Sequence, residues 1–354
     1  MKVWIDVLTP KQALFYWALS KVLQKRSIEV ITTSRDYEQV NWMWSHLGIK
    51  PLVFGEYGGS TLYGKLLASS ERQLRLVKLI GEEDVSVGIS SGSIEACRIC
   101  YGLKVPHVLS SDTPHSPINR MCVPLSESIT SPYVIPKESW TRYGISPSRI
   151  FTYRALDPYA WLIRYRDLID VNLPKPLQDG YALVRVPEST ASYLTGKGLE
   201  ETVALVKSLI EFWDGKVLVM TRFSSESLEL RKSLRDPSIK FLSKPVLALP
   251  LIKNAEVVIC GGGTIAQEAA LLGRPTVLFY PGEVPEVHKF LLRKGLIDYV
   301  GPGQLRELRD VIERLTSAPV KRTLRERARS LISSMEDPAL LIYKVIERVV
   351  NGGQ

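Results

Sequence analysis

The chain has little cysteine, little histidine and no long apolar run, and each shortage removes a class of protein. Four cysteines (Cys97, Cys100, Cys122 and Cys260) in 354 residues are too few for a disulfide scaffold. Cys97 and Cys100 form a CxxC inside an expected helix, with no second pair and no histidine cluster beside it, so both read as small core residues. No apolar stretch approaches the ~18 residues needed to span a bilayer. The first residues pass straight into a strand pattern rather than the charged-then-apolar pattern of a secretory signal, so a cytoplasmic, reducing setting is expected. Basic residues form no block and no nucleic-acid motif. The excess of 46 Lys and Arg over 37 Asp and Glu, a net +9 with a pI near 9.2, is spread through helices. That suits an anionic ligand or an acidic membrane surface better than nucleic acid, which is not expected as a partner.

What is present is an ordinary globular composition, 45% hydrophobic and 23% charged, on a chain long enough for two domains. Strand and helix patterns alternate from Lys2–Leu8 onward, which argues for parallel sheets covered on both faces. The alternation stops near Asp157-Pro158 and Leu173-Pro174-Lys175-Pro176 and restarts at Tyr181. The reading is a first domain over 1–160, a proline-rich linker over 161–178, a second domain over 179–335, and a final helix in 336–354 expected to pack back on the first domain. The expected class is α/β, with two facing Rossmann-like doubly wound domains and a ligand cleft between them.

The most informative stretch is Ala255–Glu283. An apolar run ending at Cys260 reads as a buried strand, Gly261-Gly262-Gly263 as a turn without side chains, and Thr264 to Gly273 as a helix. Pro275–Phe279 is the next strand. The glycines lie where a phosphate can approach backbone N–H groups at a positive helix end, although the GxGxxG spacing of a dinucleotide site is absent. Thr264 with Gln267 fits a capping box. Glu268 projects near the apolar stripe of its helix. It is read either as an acid opposing the helix dipole or as an acceptor for a pair of ligand hydroxyls.

The same edge of the second domain collects Arg185, Glu188-Ser189-Thr190, Thr221-Arg222 and Lys244. Small hydroxyls, backbone N–H groups and one or two arginines suit a diphosphate. Glu283, Glu286 and His288 follow in a loop and are read as sugar-hydroxyl ligands or as solvated charges. In the first domain the loops carry Thr9-Pro10-Lys11, Gly58-Gly59-Ser60, Ser91-Gly92-Ser93 and Ser111-Asp112-Thr113-Pro114-His115. Asp112 and His115, just past a strand end, are the candidate catalytic pair, placed where a general base belongs. Asp6, a charge inside the first strand, is expected to be a structural anchor held by loop backbone. Two Trp residues flanking Met43 cannot all face inward, which hints at a membrane contact or a lipid-linked acceptor.

WID near the start, YGGSTLYGKL, GISSGS, SSDTPHSPINR and CGGGTIAQEAALLGRPTVLFYPGE together resemble a mostly archaeal family of glycosyltransferase-B-like (GT-B-like) proteins. The resemblance runs along nearly the whole chain. The second domain, chiefly Gly262 to Pro275, is also distantly similar to UDP-N-acetylglucosamine 2-epimerases and the peptidoglycan N-acetylglucosaminyltransferase. By that resemblance Glu268 binds ribose hydroxyls, Gly262, Gly263 and Thr264 hold the diphosphate, and Lys244-Pro245-Val246 lies near the base. The departures fall in the first domain. Ser91-Gly92-Ser93 stands where the epimerases carry an acid, only Asp112 can replace their next one, and Thr9-Pro10-Lys11-Gln12 lacks the transferase histidine. The reading is a nucleotide-sugar-dependent glycosyltransferase acting without metal or other cofactor on a hydroxyl-bearing acceptor. The alternatives are a 2-epimerase-like enzyme and a non-catalytic nucleotide-sugar-binding protein.

Overall fold

Strands β1 (Lys2–Val7) and β4 (Val87–Ser90) are buried along almost their whole length, as strands must be when helices cover both faces of a sheet. They sit at the centre of a seven-stranded parallel sheet with β2 (Glu29–Asp36), β3 (Leu52–Glu56), β5 (His107–Ser110), β6 (Ser128–Pro132) and β7 (Ile150–Tyr153). The order is β3-β2-β1-β4-β5-β6-β7. A second, six-stranded parallel sheet repeats the plan with β8 (Tyr181–Arg185), β9 (Lys216–Met220), β10 (Ile239–Leu242), β11 (Val257–Cys260), β12 (Thr276–Leu278) and β13 (Asp298–Tyr299), ordered β10-β9-β8-β11-β12-β13. The structure, a computed structural model, describes residues 1–59, 61–164, 180–186, 198–221, 224–242 and 244–352, with 224 and 225 described by backbone alone. The short strand β13 was hidden because two residues carry no periodicity.

The chain divides into Met1–Arg164 with Met335–Gln354, and Tyr165–Ser334. Trp161, placed by sequence at the start of the linker, is buried in the first unit edge-on to Phe15, ring centroids 6.4 Å apart. The rest of the proposed linker, from 165 onward, lies outside the described residues, as do Glu188-Ser189-Thr190 and Arg222.

In the first unit, α1 (Pro10–Gln24) starts where Thr9 accepts the Gln12 N–H at 3.3 Å and Pro10 supplies a preset φ. Helix α2 (Glu38–Leu47) ends on Gly48, and α3 (Leu62–Glu82) and α4 (Ile94–Leu103) are capped by Thr61 and Ser93. Asp6 is anchored, but not by loop backbone. It accepts two hydrogen bonds from the Arg72 guanidinium, at 3.0 and 2.5 Å, and one from Thr33 at 2.6 Å. Arg72 also lies 3.7 Å from Glu95. Burial raises the Asp6 carboxyl, but Arg72 outweighs it and holds the pKa below its ordinary value.

The second unit adds α5 (Gly198–Ile210), α6 (Ser224–Ser233), α7 (Ala248–Asn254), α8 (Gly263–Leu271), α9 (Glu286–Arg293), α10 (Leu308–Thr316) and α11 (Ala318–Ser333). Along β8, Tyr181 and Leu183 enter one apolar cluster while Ala182 and Val184 enter another, so alternate residues feed cores on opposite faces. The last helix, α12 (Pro338–Asn351), belongs to the first unit, where it lies against α1 and buries Ala339, Ile342, Val345 and Ile346. Asp337 caps it by accepting the Ala339 N–H at 3.0 Å and is ion-paired with Arg164.

Candidate functional site

Both sheets change the direction of their strand order between two adjacent strands, and in open α/β sheets ligands bind at the carboxyl ends of those strands. The switch falls between β8 and β11 in the second unit and between β1 and β4 in the first. The described residues singled out at the strand ends lie at or near the carboxyl edges of these two sheets.

At the β8/β11 edge, Gly261 donates its N–H to the Arg185 carbonyl at 3.3 Å. Gly262 has φ +92°, ψ −156°, and Gly263 has φ +70°. The first combination is essentially closed to residues with a side chain. It lets the chain turn from strand to helix in one step. Helix α8 therefore begins at Gly263 with Gly262 as its cap and no side-chain cap hydrogen bond. The capping box expected from Thr264 and Gln267 does not form, because Thr264 already lies inside the first turn and Gln267 is buried. Because the turn itself carries no side chains, the first N–H groups of the helix follow a surface of glycine backbone, the arrangement that can receive phosphate. The Tyr280 ring forms one wall, since a β-carbon on Gly262 would sit 3.4 Å from it. Tyr280 was not picked out by sequence, and its place just after β12 was the available signal.

Arg185 ends β8 half-buried, and its guanidinium donates to the Met220 carbonyl at 3.2 Å. Glu268 is only 2% exposed. It lies beyond the first turn, where the helix-dipole effect has faded. Burial pushes the thiol of Cys260 up to about 12, which leaves it an inert core group. His288 packs against the glycine turn and shares a hydrogen bond with the Gly263 carbonyl at 3.2 Å. Glu283 and Glu286 are both held by Lys289, at 3.2 and 2.9 Å. Lys244 is exposed after β10.

At the carboxyl edge of the first sheet the structure brings together residues from three loops. Lys11, in the first turn of α1, reaches Asp112 at 2.6 Å and Asp157 at 2.8 Å. The lysine side chain is 27% exposed and the two acids 10% and 5%. Asp157 also accepts from Tyr153 at 2.5 Å, and Asp112 from Thr113 at 2.9 Å. Burial alone would lower the Lys11 pKa, but the two carboxylates raise it above its ordinary value. Burial raises Asp157, with Asp112 adding to the rise and Lys11 opposing it. Beside them Tyr16 and Ser91 share a hydrogen bond at 2.8 Å, and Gln12 donates to the Ser91 carbonyl at 3.2 Å.

Asp112 was expected here, and its loop is firmly held. The Pro114 carbonyl accepts from Tyr143 at 2.7 Å, Arg142 at 2.9 Å and Asn119 at 3.1 Å. His115 is exposed on the same loop. Asp157 was missed because an Asp-Pro pair resembles a linker. Taken as the loop residue after β7, it would have been counted with the other strand-end groups. Asp112, the one acid expected to stand for the epimerase pair, thus has a second acid beside it, Asp157, joined to it through Lys11.

Solved structures of the same architecture set the class. The UDP-GlcNAc 2-epimerase of Methanocaldococcus jannaschii, in complex with UDP-GlcNAc and UDP, matches with a TM-score of 0.72 at 17% identity, over 94% of this chain and 99% of that one. The Neisseria meningitidis UDP-GlcNAc 2-epimerase bound to UDP-GlcNAc matches at 0.69 and 14%, over 98% and 100%. A spinosyn rhamnosyltransferase matches at 0.65 and 16%, over 98% and 100%. The protein thus has the two parallel-sheet α/β domains of the GT-B type, shared by epimerases and glycosyltransferases. Within that class it belongs to the DUF354 family, described as proteins of unknown function, whose profile matches residues 1–351. An uncharacterized protein of Methanocaldococcus jannaschii is 26% identical over 357 residues, covering 99% of this chain and 98% of its own.

Proposed function

We propose that the protein is a nucleotide-sugar-dependent glycosyltransferase. The second unit would hold the donor, a UDP- or similar nucleotide sugar, and the first would receive a hydroxyl-bearing acceptor. The observation that carries the donor half is the uncapped glycine turn of α8 beside Arg185 and Glu268. In this reading the Gly262–Thr264 backbone and Arg185 take the diphosphate, and Glu268 accepts from the ribose hydroxyls. The helix end and the guanidinium supply positive charge to the leaving group without a metal. Neighbours of the same fold solved with UDP-GlcNAc or UDP support a UDP-type donor.

In the first unit Asp112 is the general base. The acceptor oxygen forms a bond to the anomeric carbon and its proton passes to Asp112. The bond from that carbon to the diphosphate oxygen breaks with its electron pair. Lys11 fixes the orientation of the Asp112 carboxylate at 2.6 Å. His115 is the competing base on the same loop. A second reading, an epimerase-like enzyme, is favoured by the pairing of Asp112 with Asp157, because moving a proton off and back onto one carbon needs two such groups. The third, a non-catalytic binder, predicts binding without turnover.

A nucleotide-sugar panel read by thermal shift, followed by product analysis, separates these. Ligand at a hundred times its Kd stabilises by about 2.7 kcal/mol. Release of nucleoside diphosphate that requires an acceptor supports transfer, an epimerised sugar nucleotide supports the second reading, and a shift with no product supports the third. Asp112→Asn is expected to slow transfer at least 100-fold, with His115→Ala well behind it.

A further inference from the structure

The tryptophans that hinted at a membrane contact are not where apolar surface is exposed. Trp17 and Trp44 are buried, and Trp42 is half-buried with its ring stacked on His46 at 5.1 Å. Five exposed apolar side chains cluster instead on α3. Leu62 is 84% exposed, Tyr63 76%, Leu66 68%, Leu67 45% and Leu74 61%. The buried residues of this helix are Arg72, Leu76 and Ile80, so the first ten residues have none. At about 100° per residue the five exposed side chains fall within about 140° of arc, which Ser70 and Gln73 share but no Lys, Arg, Asp or Glu of the helix does. Lys78 borders the arc on one side and Lys65 is the first charge beyond it on the other. A charge-free sector of this kind is a contact surface rather than a solvated face.

We infer that the N-terminal half of α3 lies against the surface of a bilayer containing anionic phospholipid. The charge around it selects this occupant. Arg75 and Lys78 are exposed on α3, Arg98 on α4, which packs along α3, and Lys104 just past the end of α4. The exposed acids on and just past these two helices are Glu71, Glu82 and Asp84, against Arg75, Lys78, Arg98 and Lys104, while Glu83 is engaged by Lys2 at 2.6 Å. Apolar side chains flanked by basic ones that can extend to the headgroups are the pattern of an interfacial helix. The first charges on either side of the apolar arc are lysines, Lys78 and Lys65, and a two-fold contact with a second copy would bring these like charges towards one another. Among the described residues no helix is long and apolar enough to cross a membrane, so the contact is peripheral. The exposed half of α3 begins at the carboxyl edge of the first sheet, the edge that carries Lys11, Asp112 and Asp157. A lipid-borne hydroxyl would thus be presented on the side where the base stands.

Co-sedimentation of the full chain with vesicles tests this without nucleotide, so its outcome is independent of the glycosyltransferase reading. The protein is expected to pellet with 3:1 phosphatidylcholine–phosphatidylglycerol vesicles and far less with phosphatidylcholine alone. Leu62→Ser combined with Leu66→Ser, at exposed positions where melting should not change, is expected to weaken binding at least tenfold. Lys65→Gln with Lys78→Gln should reduce the preference for the anionic vesicles. Absence of binding to both compositions, or unchanged binding by the leucine double variant, would overturn the inference. So would a dimer in equilibrium sedimentation that the same variant dissociates, because a second copy would then be the occupant.

Discussion

Lys11 decides more at the residue scale than any group chosen from the sequence. It neutralises two carboxylates that would otherwise repel at the same edge. Removing one partner of a buried ion pair typically costs about 3–5 kcal/mol. Lys11→Met is therefore expected to lower unfolding stability in urea by an amount of that order, and less when combined with Asp157→Asn. Its folded pKa is raised, so its contribution is complete below the ordinary lysine value and is lost as pH rises through the folded one. His107 acts on the acid side. Burial lowers its pKa to about 3, between hydrogen bonds shared with Ser90 at 3.0 Å and Ser126 at 2.9 Å. A depressed folded pKa gives stability that is present above about 6.5 and lost as pH falls toward 3. His107→Gln should flatten that limb of a stability–pH curve. An unchanged slope would place the acid sensitivity elsewhere, with the Asp6–Arg72 pair the next source. Lys11 was visible in the sequence only as a loop residue, since an ion pair joining residues 11, 112 and 157 has no local pattern. Asp112 was legible because it directly follows a readable strand.

Among the elements, the glycine turn and its helix were the most legible, because a β-branched strand, three glycines and an amphipathic run are all local signals. The cap was misread for a physical reason. A Thr with Gln three residues on fits a capping box only if the helix starts at the Thr, and the backbone freedom of Gly262 starts it earlier. Gly262→Ala forces a β-carbon into φ +92°, ψ −156°, at a cost of about 1–3 kcal/mol. It is expected to weaken nucleotide binding by about tenfold or more, measured by calorimetry, while Ala substitution at exposed Lys244 should have a smaller effect. At the other end of the chain α12 covers α1. Truncation before Pro338 removes the buried Ile342, Val345 and Ile346, each worth about 1.5–3 kcal/mol, and uncovers α1. The first unit should then melt several degrees lower or lose its cooperative transition, as read by calorimetry.

For the whole molecule, alternating periodicity was enough to reveal two parallel-sheet domains, since each strand and helix carries its own pattern. Assignment of 161–164 to the first unit was not legible, because Trp161 earns its place by packing on Phe15 across the fold. The exposed face of α3 was equally hidden. A leucine-rich helix looks the same in sequence whether a neighbour covers it or not. The central claim is that a nucleotide sugar is held at the glycine turn of the second unit. Titration calorimetry with UDP and UDP-N-acetylglucosamine, on the wild-type chain and on Glu268→Ala checked for an unchanged melt, tests it most directly. Saturable one-to-one binding that Glu268→Ala weakens at least tenfold is expected, whereas no binding of either compound, or equal binding by the variant, would contradict the account.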